Sequence, residues 1–433
     1  MCFLQKICFA LIGIFLAFSV SAQQELHIHH INIENGDATL IGIYDVASQK
    51  YTSKILIDGG KSTPAKLLLP YIGKMVGTDA ESFHFDYIIL THYHNDHYNG
   101  LMVLKTGKLT ADSIIDPGGY RVDSLFPTGS HTMTRPANLK RATTWLSMLK
   151  IASHHTPEPF IKGRSEVFLS FGTTGKTGIG RTFTIGKIGT HDVEIECVAG
   201  WGNTISDSGI EPNPKPTRTN ANDYTLAFIV SCGEFRYFIG GDLGGQNTAP
   251  YIDQETPLTK YLEATYPASV SSDGDSTVKG HICGFKANHH GSNNSNTASF
   301  MQGMRPAITI TSAGNTASWH LPNPIYLQRL SAVHALSESS SNPSGTFNRG
   351  VYVTNLYNFK GFPSKTKANS LFKNKPGISY DYGNNIAKAK GSYLIKVTDE
   401  NGLGMKSEFE VGRVDISKTE PYKKLAFFFC HAK

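Results

Sequence analysis

The sequence predicts an α/β fold, and three observations predict it. Short apolar runs bounded by glycine and polar residues recur along the chain and read as strands. Stretches with apolar residues at helical spacing fall between them. The runs stop at residues able to do chemistry, which places one site along a sheet edge.

In chain order, Lys54-Ile55-Leu56-Ile57 ends at Asp58-Gly59-Gly60, and Tyr87-Ile88-Ile89-Leu90 ends at Thr91-His92. Asn138 to Ser153 reads as a helix after the breaker Pro136, with Leu139, Ala142, Leu146 and Leu149 on one face. Tyr224 to Val230 and Phe235 to Ile239 read as a hairpin about Ser231-Cys232-Gly233-Glu234, its second strand ending at Gly240-Gly241-Asp242. Ile282 to Ala287 stops at Asn288-His289-His290-Gly291, and Ala307 to Thr311 stops at Ser312-Ala313-Gly314. Pro324 to Leu336 is a second candidate helix, carrying Ile325, Leu327, Leu330 and Val333. Residues 103–190 read as an insertion of low periodicity, and 202–222 and 337–350 as irregular loops that shape access to a site. Tyr393 to Val397 and Phe409 to Val411 form a hairpin in a C-terminal extension that no linker separates from the rest.

The N-terminus reads as a targeting segment. Lys6 supplies positive charge, Ile7 to Val20 an apolar stretch, and Val20-Ser21-Ala22 a cleavage site before Gln23. About 14 apolar residues are too few to span a bilayer, which takes roughly 20. The expectation is a signal peptide over 1–22 and a secreted or periplasmic mature chain over 23–433, with no transmembrane anchor. Such a chain keeps Cys197, Cys232, Cys283 and Cys430, which allow one or two disulfides but no C-x-x-C metal site. The net charge of +6 suits an anionic substrate and lacks the dense basic stripes of dedicated nucleic-acid binders.

The most informative stretch is "THYHNDHYNG", residues 91–100. His92 and His94 reach one side of a tight turn, while Asp96 and His97 reach another. Imidazoles suit zinc, and a carboxylate completes or bridges a site. Asp242 is the later strand-end carboxylate flanked by glycines, where little side chain crowds a bridging ligand. Asp58 precedes two glycines and suits a residue that orients a ligand histidine or a water. His289 and His290 cannot both point the same way on a strand, so one is expected to bind metal, with His290 preferred, and the other to face substrate. His27, His29 and His30 read as a sheet surface rather than a third metal site, and His154-His155 as a helix C-terminal turn. No G-x-S-x-G elbow is present, which argues against a serine hydrolase.

His92-x-His94-x-Asp96-His97 resembles the signature of the metallo-β-lactamase superfamily, and Asp58, Asp242 and His289 or His290 follow in the order that family uses. The resemblance implies an αββα four-layer sandwich of two mixed β-sheets flanked by helices, with one or two metals at its site. "INIENGDATLI" (31–41), "NANDYTLAFIV" (220–230), "KANHHGSNNS" (286–295) and "SAGNTASWHLPNP" (312–324) are similar to blocks of the ComEC-type competence proteins and their stand-alone secreted relatives, to which secreted phosphorylcholine esterases are related. The chain departs from that pattern where Leu321 separates His320 from Pro322, and where no third histidine for the first metal is visible. Asn222 or Asp223 stands in its place.

The resemblance implies a metal-dependent hydrolase that uses a hydroxide bridging two divalent ions, zinc first, with manganese or iron as alternatives. His92 and His94 would hold one ion, Asp96 and His97 the other, and Asp242 both; Asp58 and His320 would assist catalysis. The substrate class it favours is a phosphodiester of a small molecule, glycan or nucleic acid, with no protein partner. The rivals are a lactonase or β-lactamase-type hydrolase and a non-catalytic metal-binding relative.

Overall fold

The computed structural model describes residues 23–61, 66–77, 82–117, 140–148 (except 142 and 146), 179–200, 202–211, 220–246, 251–266, 269–270, 277–278, 282–304, 306, 308–314, 321–323, 325–330, 349–354, 378–380, 391–398 and 406–431. The expected signal peptide, His154-His155 and His320 lie outside these residues.

Strands β1 (Gln24–His30), β2 (Thr39–Asp45), β3 (Lys50–Ile57), β4 (Phe83–Ile89) and β5 (Leu109–Ile115) open the chain. They are followed by β6 (Thr182–Ile188), β7 (His191–Gly200), β8 (Asn203–Ser206), β9 (Gly209–Glu211), β10 (Ala227–Cys232) and β11 (Phe235–Ile239). A short pair, β12 (Ser269–Val270) and β13 (Thr277–Val278), precedes β14 (Gly284–Lys286), β15 (Ile308–Thr311), β16 (Arg349–Val353) and β17 (Ile378–Tyr380). Strands β18 (Ser392–Thr398), β19 (Lys406–Val414) and β20 (Tyr422–His431) close it.

One sheet runs β20-β19-β18-β1-β2-β3-β4-β5, the other β17-β16-β15-β14-β11-β10-β7-β8-β9 with β6 also on β7. The C-terminal hairpin thus extends the first sheet beside β1. The stretch expected as an insertion contains two sheet strands near its ends, because β5 and β6 both fall within 103–190. Their apolar positions alternate too irregularly to stand out in the sequence. The expected strand over Tyr224 to Val230 starts only at Ala227, since 221–224 form a 3₁₀ turn.

Period-two alternation explains the layers. On β2 and β3, Ile41, Ile43, Ile55 and Ile57 point between the sheets and meet Val193, Phe228, Val230 and Ile239 of the second. Leu40 and Leu56 point outward onto helix α1 (Leu68–Val76) and onto Trp145 and Met148, which lie in the helical residues 143–145 and 147–148. The second sheet buries Ile229, Phe238 and Phe285 under α3 (Glu255–Thr265), α4 (Ala298–Met304) and Tyr326, Leu327 and Leu330 of the helical residues 325–330, which fall within the helix expected over 324–336. A further short helix, α2 (Asn95–Tyr98), begins within the histidine motif. Helix, sheet, sheet, helix is the four-layer order, and the fold class is α/β as expected.

The β1 histidines are not on an open sheet surface: His27, His29 and His30 are all buried. Each is satisfied instead by tyrosine. His27 and His29 share the Tyr51 hydroxyl at 2.8 and 2.7 Å, His29 also meets Tyr71 at 2.9 Å, and His30 Nε2 meets Tyr237 at 2.8 Å across the two sheets. The alternation rule placed them on faces correctly but could not show that aromatic side chains cover both faces. Burial, reinforced by the Lys286 ammonium, pushes the His30 imidazole down from 6.5 to about 3. The unfolded chain therefore takes up a proton below about pH 6.5 that the native chain refuses. This stability is complete above pH 6.5 and is lost as pH falls towards 3, at up to about 1.4 kcal/mol per pH unit. His30→Gln, which keeps a polar group for Tyr237, should remove about 2 kcal/mol of the stability loss between pH 6.5 and 5. Guanidinium unfolding at both pH values measures it, and parallel curves for both proteins would refute it.

Candidate metal centre

Strands β3, β4 and β5 run parallel in one sheet, and β11, β14, β15 and β16 run parallel in the other. Their C-terminal ends therefore deliver successive loops to one edge of the sandwich. Asp58 follows β3, the histidine motif follows β4, Asp242 follows β11, and His289-His290 follow β14. Backbone hydrogen bonds lock these loops together: Gly59 N donates to His97 O at 2.7 Å, Leu226 N to Thr91 O at 3.0 Å, and His289 N to Gly241 O at 2.9 Å. The turn from β1 to β2 joins them through Asp37 N to Asp96 O at 3.2 Å. Gly36 makes that approach possible. It sits at φ +96°, and a Cβ there would lie 1.7 Å from the Asp96 carbonyl oxygen.

Two clusters of ligand atoms result, each with its atoms within 4.8 Å of one another: His92, His94 and Asp242 in one, Asp37, His97, Asp242 and His290 in the other. Asp242 belongs to both. Its Oδ2 lies 3.5 Å from His92 Nε2, and its Oδ1 lies 3.3 Å from His97 Nε2 and 3.5 Å from His290 Nε2. In the first cluster His92 Nε2 and His94 Nδ1 face each other at 3.0 Å.

Outer partners fix which ring nitrogen faces inward. Asp58 accepts from Thr91 N, Thr91 Oγ1 and His97 Nδ1, each at 2.8 Å. Because the Thr91 hydroxyl donates to Asp58, it can only accept from His92 Nδ1, 3.1 Å away. One carboxylate thus orients His97 directly and His92 through Thr91, leaving both Nε2 atoms directed at Asp242. For His290 the Ser312 carbonyl does the same, accepting from Nδ1 at 3.0 Å.

Among the described residues, His97 Nε2, His290 Nε2 and Asp242 Oδ1 are buried without a hydrogen-bond partner. Buried polar atoms left unmatched are costly unless an ion satisfies them. Three such atoms converging on one point, all of metal-ligand type, fit a divalent cation.

The charges differ between the clusters. Burial, then the neighbouring His97, holds His92 well below its ordinary range, and burial takes His94 down to about 4. Both are neutral imidazoles with lone pairs to offer. Burial would also depress His97 and His290, but the Asp242 carboxylate, with Asp58 on His97 and Asp37 on His290, overrides it. His97 is held well above its usual value and His290 at about 10. Asp242 is held well below the carboxylate range despite burial, by the four surrounding histidines. Histidines held protonated by carboxylates occupy the role that a cation would take over.

Each expected site residue has a definite place. His92, His94, His97, Asp242 and His290 stand in the two clusters. Asp96 lies at the mouth, its side chain 29% exposed, with Oδ2 3.5 Å from His290 Nε2. Asp58, expected as a catalytic residue, is buried behind His97 and faces no open space; its place is the orienting one. His289 and His290 are not on a strand. They follow β14 in a 3₁₀ turn with φ of 48° and 53°, left-handed for both, and this lets both rings approach Asp242. His289 Nε2 stands 3.8 Å from Asp242 Oδ2, on the side of the first cluster, and 3.2 Å from Asn222 Nδ2. The histidine missing from the first cluster in the sequence pattern is therefore close by. Asp223 is buried beside Asn222 and enters neither cluster. Sequence reasoning missed Asp37 and its partner Lys286, whose ammonium is held by Asp37, by Gly241 O at 3.0 Å and by Ala287 O at 3.1 Å. A carboxylate after a glycine, just before an apolar strand in "ENGDATLI", was the available signal.

Residues 43–108 match the family model of the metallo-beta-lactamase superfamily. No curated protein matches the chain. The matched segment runs from β2 past the histidine motif, so it contains Asp58, His92, His94, Asp96 and His97 but none of the later ligands. The structure adds those at the same sheet edge. The match, the two mixed sheets flanked by helices and the shared carboxylate between two histidine clusters support the metallo-beta-lactamase superfamily, whose members are mostly hydrolases, and a metal-dependent hydrolase in general.

Proposed function

We propose that the chain is an exported phosphodiesterase that works with two divalent ions, zinc first among them. The observation that carries this reading is Asp242, whose two oxygens face two separate histidine clusters. When bound, such ions supply Lewis-acid activation of water near neutral pH and polarise a phosphoryl oxygen. The chain's own residues divide the remaining work. His92, His94 and Asp242 would hold one ion, and His97, His290, Asp242 and Asp37 the other, with Asp96 at the mouth. Asp58 and Ser312 keep the ring nitrogens turned inward.

Two features support an anionic substrate. The net charge is +6. Arg141 lies close enough to contribute to the lowering of His94, and it stands one turn before Trp145, whose indole is anchored on Asp116 at 2.7 Å. The disulfide at Cys283 fits an oxidising compartment and so supports export.

A panel of bis-p-nitrophenyl phosphate, p-nitrophenyl phosphorylcholine, a lactone and nitrocefin, offered to protein reconstituted with zinc or manganese, tests the substrate. Cleavage of a phosphodiester is expected. Ready cleavage of the lactone or nitrocefin alone would replace the reading with the lactonase or β-lactamase one. Mass spectrometry of the native protein should find Gln23 at the N-terminus; an intact Met1 would remove export.

A further inference from the structure

His289 and His290 sit side by side in left-handed backbone conformations, each costing about 1–3 kcal/mol for a residue with a Cβ. Such a pair persists only where its surroundings over-determine it. The loop that carries it is closed by Asn288 and Asn296. Asn288 N donates to Asn296 Oδ1, and Asn296 Nδ2 donates to Asn288 O, both at 2.8 Å. Beneath them lies Glu255, the first residue of α3 and fully buried. Its Oε1 accepts from Asn288 Nδ2 at 2.9 Å and from Asn296 N at 2.5 Å, and its Oε2 accepts from Thr297 N at 2.7 Å. Ser295 Oγ, bonded to Leu243 O at 2.6 Å, ties the same loop to the segment that follows Asp242. Glu255 belongs to neither ligand cluster.

We infer that Glu255 is a positioning residue for the metal centre. Its single carboxylate grips both ends of the 288–297 loop, and so holds His289 and His290 against the two oxygens of Asp242. A helix that packs behind the second sheet thereby sets the geometry of the histidine pair. The inference rests on reading the clusters as metal sites.

Glu255→Gln is the test, because it preserves shape but turns one acceptor oxygen into an NH₂ that must face an N–H donor at one end of the loop. Zinc titrated against a competing chelator should bind about 10- to 100-fold more weakly at the cluster of His97 and His290, the usual effect of losing an outer partner. The cluster of His92, His94 and Asp242, none of whose ligands lies on this loop, should change by no more than about threefold. Glu255→Asp, which keeps the charge, should recover part of the loss. Asn296→Gly provides a second route should the Gln variant fold poorly: it opens the same clamp, removes no buried charge, and tolerates the φ of +57° at that position. It should show the same selective weakening. A purely structural role would lower thermal stability without separating the two affinities. Wild-type affinities at both clusters in either folded variant would overturn the inference. Failure of the functional reading shows in the wild type itself, as two bound metals without turnover of any phosphodiester.

Discussion

Asp242→Asn should lower phosphodiester turnover by more than the roughly 100-fold that loss of an outer partner costs, and should loosen both metals together. The side chain keeps its size, so the loops after β11 and β14 need not move. What changes is the charge and one donor. The amide must direct an NH₂ either at His92 Nε2, 3.5 Å from Oδ2, or at His97 Nε2 and His290 Nε2, 3.3 and 3.5 Å from Oδ1. Four histidines hold this carboxylate ionised, so its neutral replacement leaves His97 and His290 buried with less to offset their charge. Removing one partner of a buried charged set costs about 3–5 kcal/mol. Chelator competition on the reconstituted variant checks the metals. Loss of only one would place Asp242 in one cluster and end its bridging role.

Asp58→Asn should weaken both metals by about 10- to 100-fold while leaving two per chain at saturation. Asp58 touches no ligand oxygen of the centre, yet it receives His97 Nδ1 directly and His92 Nδ1 through the Thr91 hydroxyl. Asparagine tolerates the left-handed φ of +58° at this position, so the backbone survives; the orienting charge is lost, and the amide NH₂ must face Thr91 N at one oxygen position or Thr91 Oγ1 and His97 Nδ1 at the other. Asp58→Ala should additionally cost about 3–5 kcal/mol of stability, because three buried donors, Thr91 N, Thr91 Oγ1 and His97 Nδ1, lose their acceptor. Calorimetric unfolding and zinc affinity measured on the same samples check both parts. Unchanged affinity in Asp58→Asn would confine this carboxylate to holding the turn.

The strand ends were legible because several apolar runs stop abruptly at or next to a residue of ligand type, as at Ile57-Asp58 and Leu90-Thr91-His92. The motif at 92–97 was legible because its spacing is local. What could not be read were features set by pairs distant in sequence. Asp37 approaches the centre only because Gly36 lets its turn lie against Asp96, and nothing in a linear reading connects those positions. His289 and His290 were placed on a strand because "GFKANHH" starts as one; the left-handed turn that frees both rings depends on Glu255, 33 residues earlier. The β1 histidines were misread as surface because the tyrosines that cover them come from β3, α1 and β11. The family match likewise ends before Asp242, where the contacts become long-range.

The most direct measurement is the number of divalent ions per chain. Desalted protein reconstituted with zinc or manganese and analysed for metal content and protein concentration together should hold two, and Asp242→Asn should lose both at the same chelator concentration. A wild type that retains no metal after reconstitution, or that holds two ions unaffected by Asp242→Asn, would contradict a centre built on one carboxylate shared between two histidine clusters.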